Sequence, residues 1–203
     1  MAETSMVSDD DTVPHFIYTF SSLLQRVADC NDALSVANCH RLPPPAAASA
    51  FSAVAKPEIS IPCYLERIFH FARCSHSCFV VAYIYLNRFL RLHPTFCIDS
   101  LNVHRLLITA VLTAVKFMDD RYYNNAYFAK VGGISLTELN YLEVDFLFGL
   151  RFRLNVTPTV FESYRSILER ESNIVSPRIP PRLNFLLGEE ESSSSCKQME
   201  IIV

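Results

Sequence analysis

The chain has 203 residues, half of them hydrophobic, with seven cysteines, no tryptophan and a net charge of −3. This length suits one compact domain with flanking segments, and an acidic charge without a basic cluster argues against nucleic-acid binding. No apolar run reaches the roughly 18–20 residues of a membrane span, and the acidic start lacks the features of a signal peptide. We therefore expect a soluble, intracellular protein without a membrane partner, whose odd number of irregularly spaced cysteines is reduced.

The first 59 residues are predicted to hold a single helix. Residues 1–13 are an acidic, polar lead, and Pro14 then opens a segment in which Phe16, Phe20 and Leu24 recur at helical spacing. We predict an N-terminal helix over 14–40. Residues 41–59 are rich in proline and alanine and are interpreted as a linker.

Residues 60–171 are predicted to be entirely helical. Capping residues and helical spacing indicate six helices there, which begin at Ser60, at Ser75 or Ser77, at Asp99 and Ser100, at Asn124, at Ser135 and at Thr157. The second and third of these six are apolar on nearly every side, so other helices must surround them. The tail over 172–203, rich in proline, serine and glutamate, is predicted to be disordered. The fold class is therefore all-α.

Two charges stand where charges are costly. Lys116 closes an apolar run that begins at Leu106, and Glu143 falls on a predicted core-facing stripe of leucines and phenylalanine, which comprises Leu136, Leu139, Leu142, Phe146 and Leu147. An unpaired buried charge costs several kcal/mol or more, so we expect Glu143 to be paired, protonated or in need of a partner. Lys116 could instead extend its ammonium into water. An internal salt bridge of Glu143 with Lys116 or Arg151 is also open, as is a contact with another protein.

Three stretches carry a resemblance to a known family: NVHRLLITAVLTAVKF over 102–117, YFAKVGGI over 127–134 and LNYLEVDFL over 139–147. Together with the succession of helices, they resemble a cyclin box. They are similar to the plant P-type cyclins, also called U-type, and to the fungal cyclin of the phosphate-starvation pathway. The resemblance implies one five-helix box, with the N-terminal helix before it and a further helix after it.

The resemblance also implies a function and a set of contact residues. A cyclin binds and activates a cyclin-dependent protein kinase as a non-catalytic partner, here a plant A-type kinase in a heterodimer, in the nucleus and cytoplasm. The output would be cell division or nutrient (phosphate) signalling. By resemblance, Lys116 and Glu143 contact the kinase. Phe117, Tyr127 and Phe128 are expected to be exposed apolar contacts, and Asp119 and Asp120 to solvate a helix end or border the kinase.

Other interpretations are less favoured by the residues. The stretch 63–70 lacks the tryptophan and the apolar patch that dock substrates in mitotic cyclins, so that docking is in doubt. The Cys-Ser-His-Ser-Cys run over 74–78 has the wrong ligand spacing for zinc, and no cofactor motif or catalytic motif occurs. The run 121–125 is either a surface loop or part of the kinase-facing rim. The alternative function is a cyclin-box scaffold that does not activate a kinase.

Overall fold

The computed structural model describes residues 13–37 and 50–170, and these residues form seven α-helices and no strand. The helices are α1 (His15–Ala37), α2 (Ile61–Ala72), α3 (His76–Leu92), α4 (Val103–Met118), α5 (Asn125–Gly132), α6 (Leu136–Gly149) and α7 (Pro158–Arg170). The predicted all-α class is confirmed. The predicted lead before residue 13, residues 41–49 of the predicted linker and the predicted tail lie outside the described residues.

The centre of the fold is the pair α3 and α4. These two helices make the most extensive contact between any two elements, and residues 80–87 and 106–115 are buried without interruption. Helices α1, α2, α5, α6 and α7 pack around the pair. This arrangement explains why two helices without a polar face can exist in water. None of the described helices is both long and apolar enough to cross a membrane.

Side-chain caps set the helix starts that the sequence predicts. The Ser60 hydroxyl accepts a hydrogen bond from the backbone N–H of Cys63, and the Asn124 side chain accepts one from Tyr127. Ser135 does the same at the start of α6. Each cap satisfies a backbone donor that has no partner inside its helix. Gly133 ends α5 in the left-handed conformation (φ 70°), which glycine adopts without a steric cost.

Two predictions about the helices are wrong in detail. Helix α4 begins at Val103 rather than at Asp99, because the Asp99 carboxylate accepts hydrogen bonds from the backbone N–H groups of Leu101 and Asn102 and holds a turn there. Leu136 was expected on the buried stripe of α6 but is exposed. The first turn of α6 instead meets α4 through an ion pair, in which Arg105 Nε lies 2.6 Å from Glu138 Oε1.

Candidate functional site

Lys116 and Glu143 bind each other. The Lys116 ammonium donates hydrogen bonds to both carboxylate oxygens of Glu143, at 2.7 and 2.9 Å, and the Asn125 amide donates a third at 2.8 Å. The same amide also donates to the side-chain oxygen of Asn140. We call Lys116, Asn125, Asn140 and Glu143 the polar cluster. Of the partners that the sequence left open for Glu143, the structure supports Lys116.

The polar cluster joins three helices at one edge of the fold. Lys116 lies in the last turn of α4, Asn125 begins α5, and Glu143 lies in the middle of α6. The Lys116 side chain is 29% exposed and that of Glu143 13%, so both charges are largely removed from water but remain reachable. Carboxylate oxygens and an ammonium have more hydrogen-bonding positions than these three bonds use. The cluster can therefore accept further polar groups from a partner.

Apolar side chains stand exposed beside the polar cluster. Phe117 and Met118, which follow Lys116, are 47% and 42% exposed. Four more lie on or just after α6, and we call Tyr141, Val144, Phe148 and Phe152 the apolar outer face. Each of these four side chains is about half exposed or more. Exposed apolar side chains together with polar groups are typical of protein–protein interaction sites.

The end of the apolar outer face has an unusual backbone. Arg151 and Phe152 are both left-handed, with φ of 52° and 55°, a conformation that costs a bulky residue free energy. In this conformation the Phe152 ring meets the Phe148 ring edge to face, with their centroids 5.2 Å apart. The sequence interpretation missed this face. Its signal was the helical spacing of Tyr141, Val144 and Phe148 outside the predicted core stripe.

The other predicted contact residues have different surroundings. Phe128 was expected to be an exposed contact but is fully buried, because α5 packs against α2, α4 and α6 and turns this ring into the core. The prediction of Phe128 as an exposed contact is therefore wrong. Tyr127 is half-buried, and its hydroxyl donates a hydrogen bond to the carbonyl oxygen of Phe71. Phe117 is exposed, as expected.

The two aspartates that follow α4 differ in their contacts. Asp119 accepts hydrogen bonds from the backbone N–H of Ser75, at 3.0 Å, and from its hydroxyl, at 2.8 Å. It thereby ties the turn between α2 and α3 to the end of α4. Asp120 is exposed. Among the described residues, no group of three or more His, Cys, Asp and Glu side chains could hold a metal ion.

The sequence of residues 15–154 matches the Cyclin family. The chain belongs to the cyclin family. It is 63% identical to Cyclin-P4-1 of Oryza sativa subsp. japonica over 86% of this chain and 81% of that protein. It is also 49% identical to Cyclin-U4-1 of Arabidopsis thaliana over 89% of both chains, and 52% identical to Cyclin-U4-2 of the same plant over 84% and 79%. The predicted resemblance to plant P-type and U-type cyclins is confirmed.

Membership of this family gives the helices their identity as a cyclin box. Cyclins are regulatory proteins rather than enzymes, and their partners are in general protein kinases. The polar cluster of this cyclin is already formed without a kinase, and its two charges neutralise each other. The stretch 63–70 belongs to α2, where Tyr64, Leu65 and Ile68 are buried.

Proposed function

We propose that this cyclin binds a cyclin-dependent protein kinase of the plant A-type as a heterodimer and activates it without catalysing a reaction itself. Two features support the proposal. The chain belongs to a family of kinase regulators, and the described residues present a preformed polar cluster bordered by exposed apolar side chains. The polar cluster and the exposed apolar side chains carry the most weight for the site, because a specific interface needs both polar and apolar surface.

The proposed mechanism is a shift between kinase conformations. The exposed rings of Phe117, Phe148 and Phe152 supply apolar area that a partner can bury. Lys116 and Glu143 then form hydrogen bonds with backbone and polar groups near the C-helix of the kinase. If this surface of the cyclin binds the active arrangement of the C-helix more tightly than the inactive one, the population of the active kinase rises. The Lys–Glu ion pair of the kinase can then close.

The proposed cellular role is control of cell division or of nutrient (phosphate) signalling, in the nucleus and cytoplasm. The scaffold alternative shares the binding surface but predicts no activation. A kinase assay on a generic substrate separates the two roles. Activation requires that phosphorylation rises when this cyclin is added to the isolated kinase, whereas a scaffold leaves the rate unchanged.

The polar cluster dictates how the binding experiment is designed. A single reversal such as Lys116→Glu places two like charges at the distance of a hydrogen bond, so it would weaken the fold as well as any interface. The double variant Lys116→Glu/Glu143→Lys keeps an ion pair but exchanges the two ends. Phe117→Ala and Phe152→Ala remove exposed rings and leave the core intact.

We expect wild type to retain the plant A-type kinase in a pull-down. The double variant and the two phenylalanine variants should each weaken binding about tenfold or more, because tenfold corresponds to about 1.4 kcal/mol and a residue at an interface hot spot contributes about 2 kcal/mol or more. Leu34→Ala, at an exposed position on α1, is the matched control and should bind like wild type. If the exchanged pair and both alanine variants remain folded by circular dichroism and bind normally, the proposed site is wrong.

A further inference from the structure

A cavity of about 390 Å³ lies at the start of α4, at the opposite end of this helix from the polar cluster. Its polar side chains belong to Tyr64, Arg67, His104 and Arg105, and we call it the α4 cavity. Its volume lies within the range of typical ligand sites. His104 and Lys116 are about 18 Å apart along the axis of α4, so a small ligand here would not touch the polar cluster.

An irregular segment, residues 53–59, borders one side of the α4 cavity. The backbone N–H of Ala53 donates a hydrogen bond to the carbonyl oxygen of Leu101, at 2.8 Å. The carbonyl oxygen of Ile59 accepts one from Nε2 of His104, at 2.9 Å. Both ends of the segment are therefore attached where α4 begins, and residues of the segment line the cavity between these two bonds. The wall is thus held in place without filling the space behind it.

The ring of His104 carries a hydrogen-bonding atom that lacks a partner. His104 is 8% exposed, and burial lowers its pKa, so the ring is neutral at pH 7. Nε2 holds the proton that is donated to Ile59, which leaves Nδ1 as an acceptor. Nδ1 is buried and has no hydrogen-bond partner among the described residues. Because buried polar atoms are nearly always paired, an orphaned acceptor on a residue that lines a cavity indicates a ligand that donates a hydrogen bond.

Two guanidinium groups also line the α4 cavity. Arg67 donates a hydrogen bond to the carbonyl oxygen of Lys130, at 3.1 Å. Arg105 pairs through its Nε with Glu138, at 2.6 Å. A guanidinium has more N–H donors than either of these contacts uses, so both groups can also bind a ligand. Carboxylates and phosphates match the geometry of these donors, which favours a ligand with an acidic group.

Tyr64 lies between the two kinds of polar group. Its ring meets the ring of His104 edge to face, with the centroids 4.9 Å apart. Its hydroxyl donates to the carbonyl oxygen of Gly132, at 3.0 Å. Burial raises the pKa of Tyr64 and the charges of Arg67 and Arg105 oppose this shift, so both arginines lie near the hydroxyl. The acceptor and the cations are thus near different parts of one side chain, and a ligand that reaches both needs its acidic group and its donor at separate positions.

The two arginines also restrict the kind of donor. An ammonium group in the same cavity would be repelled by them, so the group that donates to Nδ1 should be uncharged. A hydroxyl group meets this requirement. Sugar phosphates and sugar acids carry an acidic group and several hydroxyl groups on one carbon chain, and they are small enough for the cavity.

We propose that the α4 cavity binds a small hydroxylated organic anion of the sugar-phosphate or sugar-acid class. Its phosphate or carboxylate accepts hydrogen bonds from Arg67 and Arg105, and one of its hydroxyl groups donates to Nδ1 of His104. The bound anion joins α2 and α4 beside segment 53–59. Binding requires no kinase, so it stands or falls independently of the proposed function.

Isothermal titration calorimetry on the full chain without kinase tests the proposal. Glucose 6-phosphate and glucuronate carry both an acidic group and hydroxyl groups. Glucose lacks the acidic group, and butyl phosphate and butyrate lack the hydroxyl groups. We expect at least one sugar anion to bind about tenfold more tightly than glucose and than the matching anion without hydroxyl groups, since each missing group leaves polar atoms of the cavity unpaired. The tighter of the two sugar anions identifies the acidic group.

Variants assign the binding to the α4 cavity. Arg67→Gln removes a charge at an exposed position and should weaken the tighter sugar anion about tenfold. His104→Gln keeps a donor at the position of Nε2 but removes the acceptor at Nδ1, so the sugar anion should bind no better than the anion without hydroxyl groups. Arg26→Gln and His15→Gln, at exposed positions on α1, are the matched controls and should bind like wild type.

Three results would overturn the proposal. The first is equal affinity for the sugar anions, glucose and the anions without hydroxyl groups. The second is a sugar-anion affinity that is unchanged in either Arg67→Gln or His104→Gln, which would place the binding elsewhere. The third is loss of kinase binding by folded Arg67→Gln in the pull-down, which would make the cavity part of the kinase interface. Retention of the kinase by this variant, together with loss of the sugar anion, supports two separate sites.

Discussion

Lys116 and Glu143 stabilise the free protein only as a pair. Both charges are largely desolvated. The hydrogen bonds between them, together with that of Asn125, offset the free-energy cost of this desolvation. Removal of one partner leaves the other charge half-buried and uncompensated, which costs about 1–3 kcal/mol at this degree of exposure. The two residues thus serve the packing of α4 against α6 before they serve any partner.

His104 gives the protein a pH-dependent stability. Its Nε2 lies 2.9 Å from the carbonyl oxygen of Ile59, so the neutral ring donates there, and its buried Nδ1 has no hydrogen-bond partner among the described residues. Burial lowers the pKa of His104, Lys56 lowers it further, and the bond to Ile59 opposes both. In the unfolded chain the pKa is about 6.5. As the pH falls below that value the unfolded state binds more protons, so stability is lost toward acid.

We expect the free energy of unfolding to fall when the pH drops from about 7.5 to about 5.5, and His104→Gln to make this fall shallower. Glutamine keeps a donor for Ile59 but does not titrate. Urea unfolding at the two pH values, followed by circular dichroism, measures the difference. His15→Gln, at an exposed position, is the control and should retain the wild-type slope. Equal slopes for wild type and His104→Gln would contradict the assignment.

At the scale of the helices, Gly149 permits the close approach of α6 to α3. A Cβ atom at this position would overlap the ring of Phe89, with Cδ2 at 2.9 Å. That ring cannot move aside, because it also packs against the rings of Phe51, Phe96 and Phe146. The glycine therefore serves the packing of α6 against α3.

Gly149→Ala should lower the free energy of unfolding by about 1–3 kcal/mol, although alanine favours helices, since overpacking a filled core costs more than the propensity gained. Thermal or urea unfolding measures the change. Thr137→Ala, exposed on the same helix, should stay within about 0.5 kcal/mol of wild type. A stabilised Gly149→Ala variant would show that the two helices can separate without cost.

Local sequence predicted where the helices begin and end well, but it predicted less well which of their side chains are buried. Ser60, Asn124, Ser135 and Gly133 signalled helix ends because caps act within a few residues. The errors at Phe128 and Leu136 have another origin. Whether a residue on a helix is covered depends on which distant helices pack over it, and helical spacing contains no information on that. For the same reason the sequence could not decide whether Glu143 pairs with Lys116, with Arg151 or with another protein.

At the scale of the whole molecule, α1 is part of the single core and not an appendage to the box. Ile17, Phe20 and Leu24 are fully buried, and the Phe20 ring meets that of Tyr83 with centroids 5.1 Å apart. The Asn31 amide also donates to the carbonyl oxygen of Ile98, ahead of α4. We therefore expect α1 and the box to unfold together.

Phe20→Ala should lower the free energy of unfolding by about 3–5 kcal/mol, the usual cost of removing a buried ring, and unfolding should remain a single transition. Urea unfolding followed by both far-UV and near-UV circular dichroism tests this expectation. Tyr18→Ala, on the opposite side of α1, should cost little. Separate transitions in the two signals would mean that α1 detaches first.

The ion pair of Lys116 and Glu143 has a consequence for how any partner arrives. Opposite charges 2.7 Å apart form a compact dipole with no net charge, whose field fades within the roughly 10 Å over which salt screens charges at 0.1 M. Such a dipole does not draw a charged protein from a distance, so it adds little to the rate of encounter. The dipole acts once a partner is in contact with the surface. Because its direction is fixed, it favours a correctly oriented partner over one bound to the same surface in another orientation.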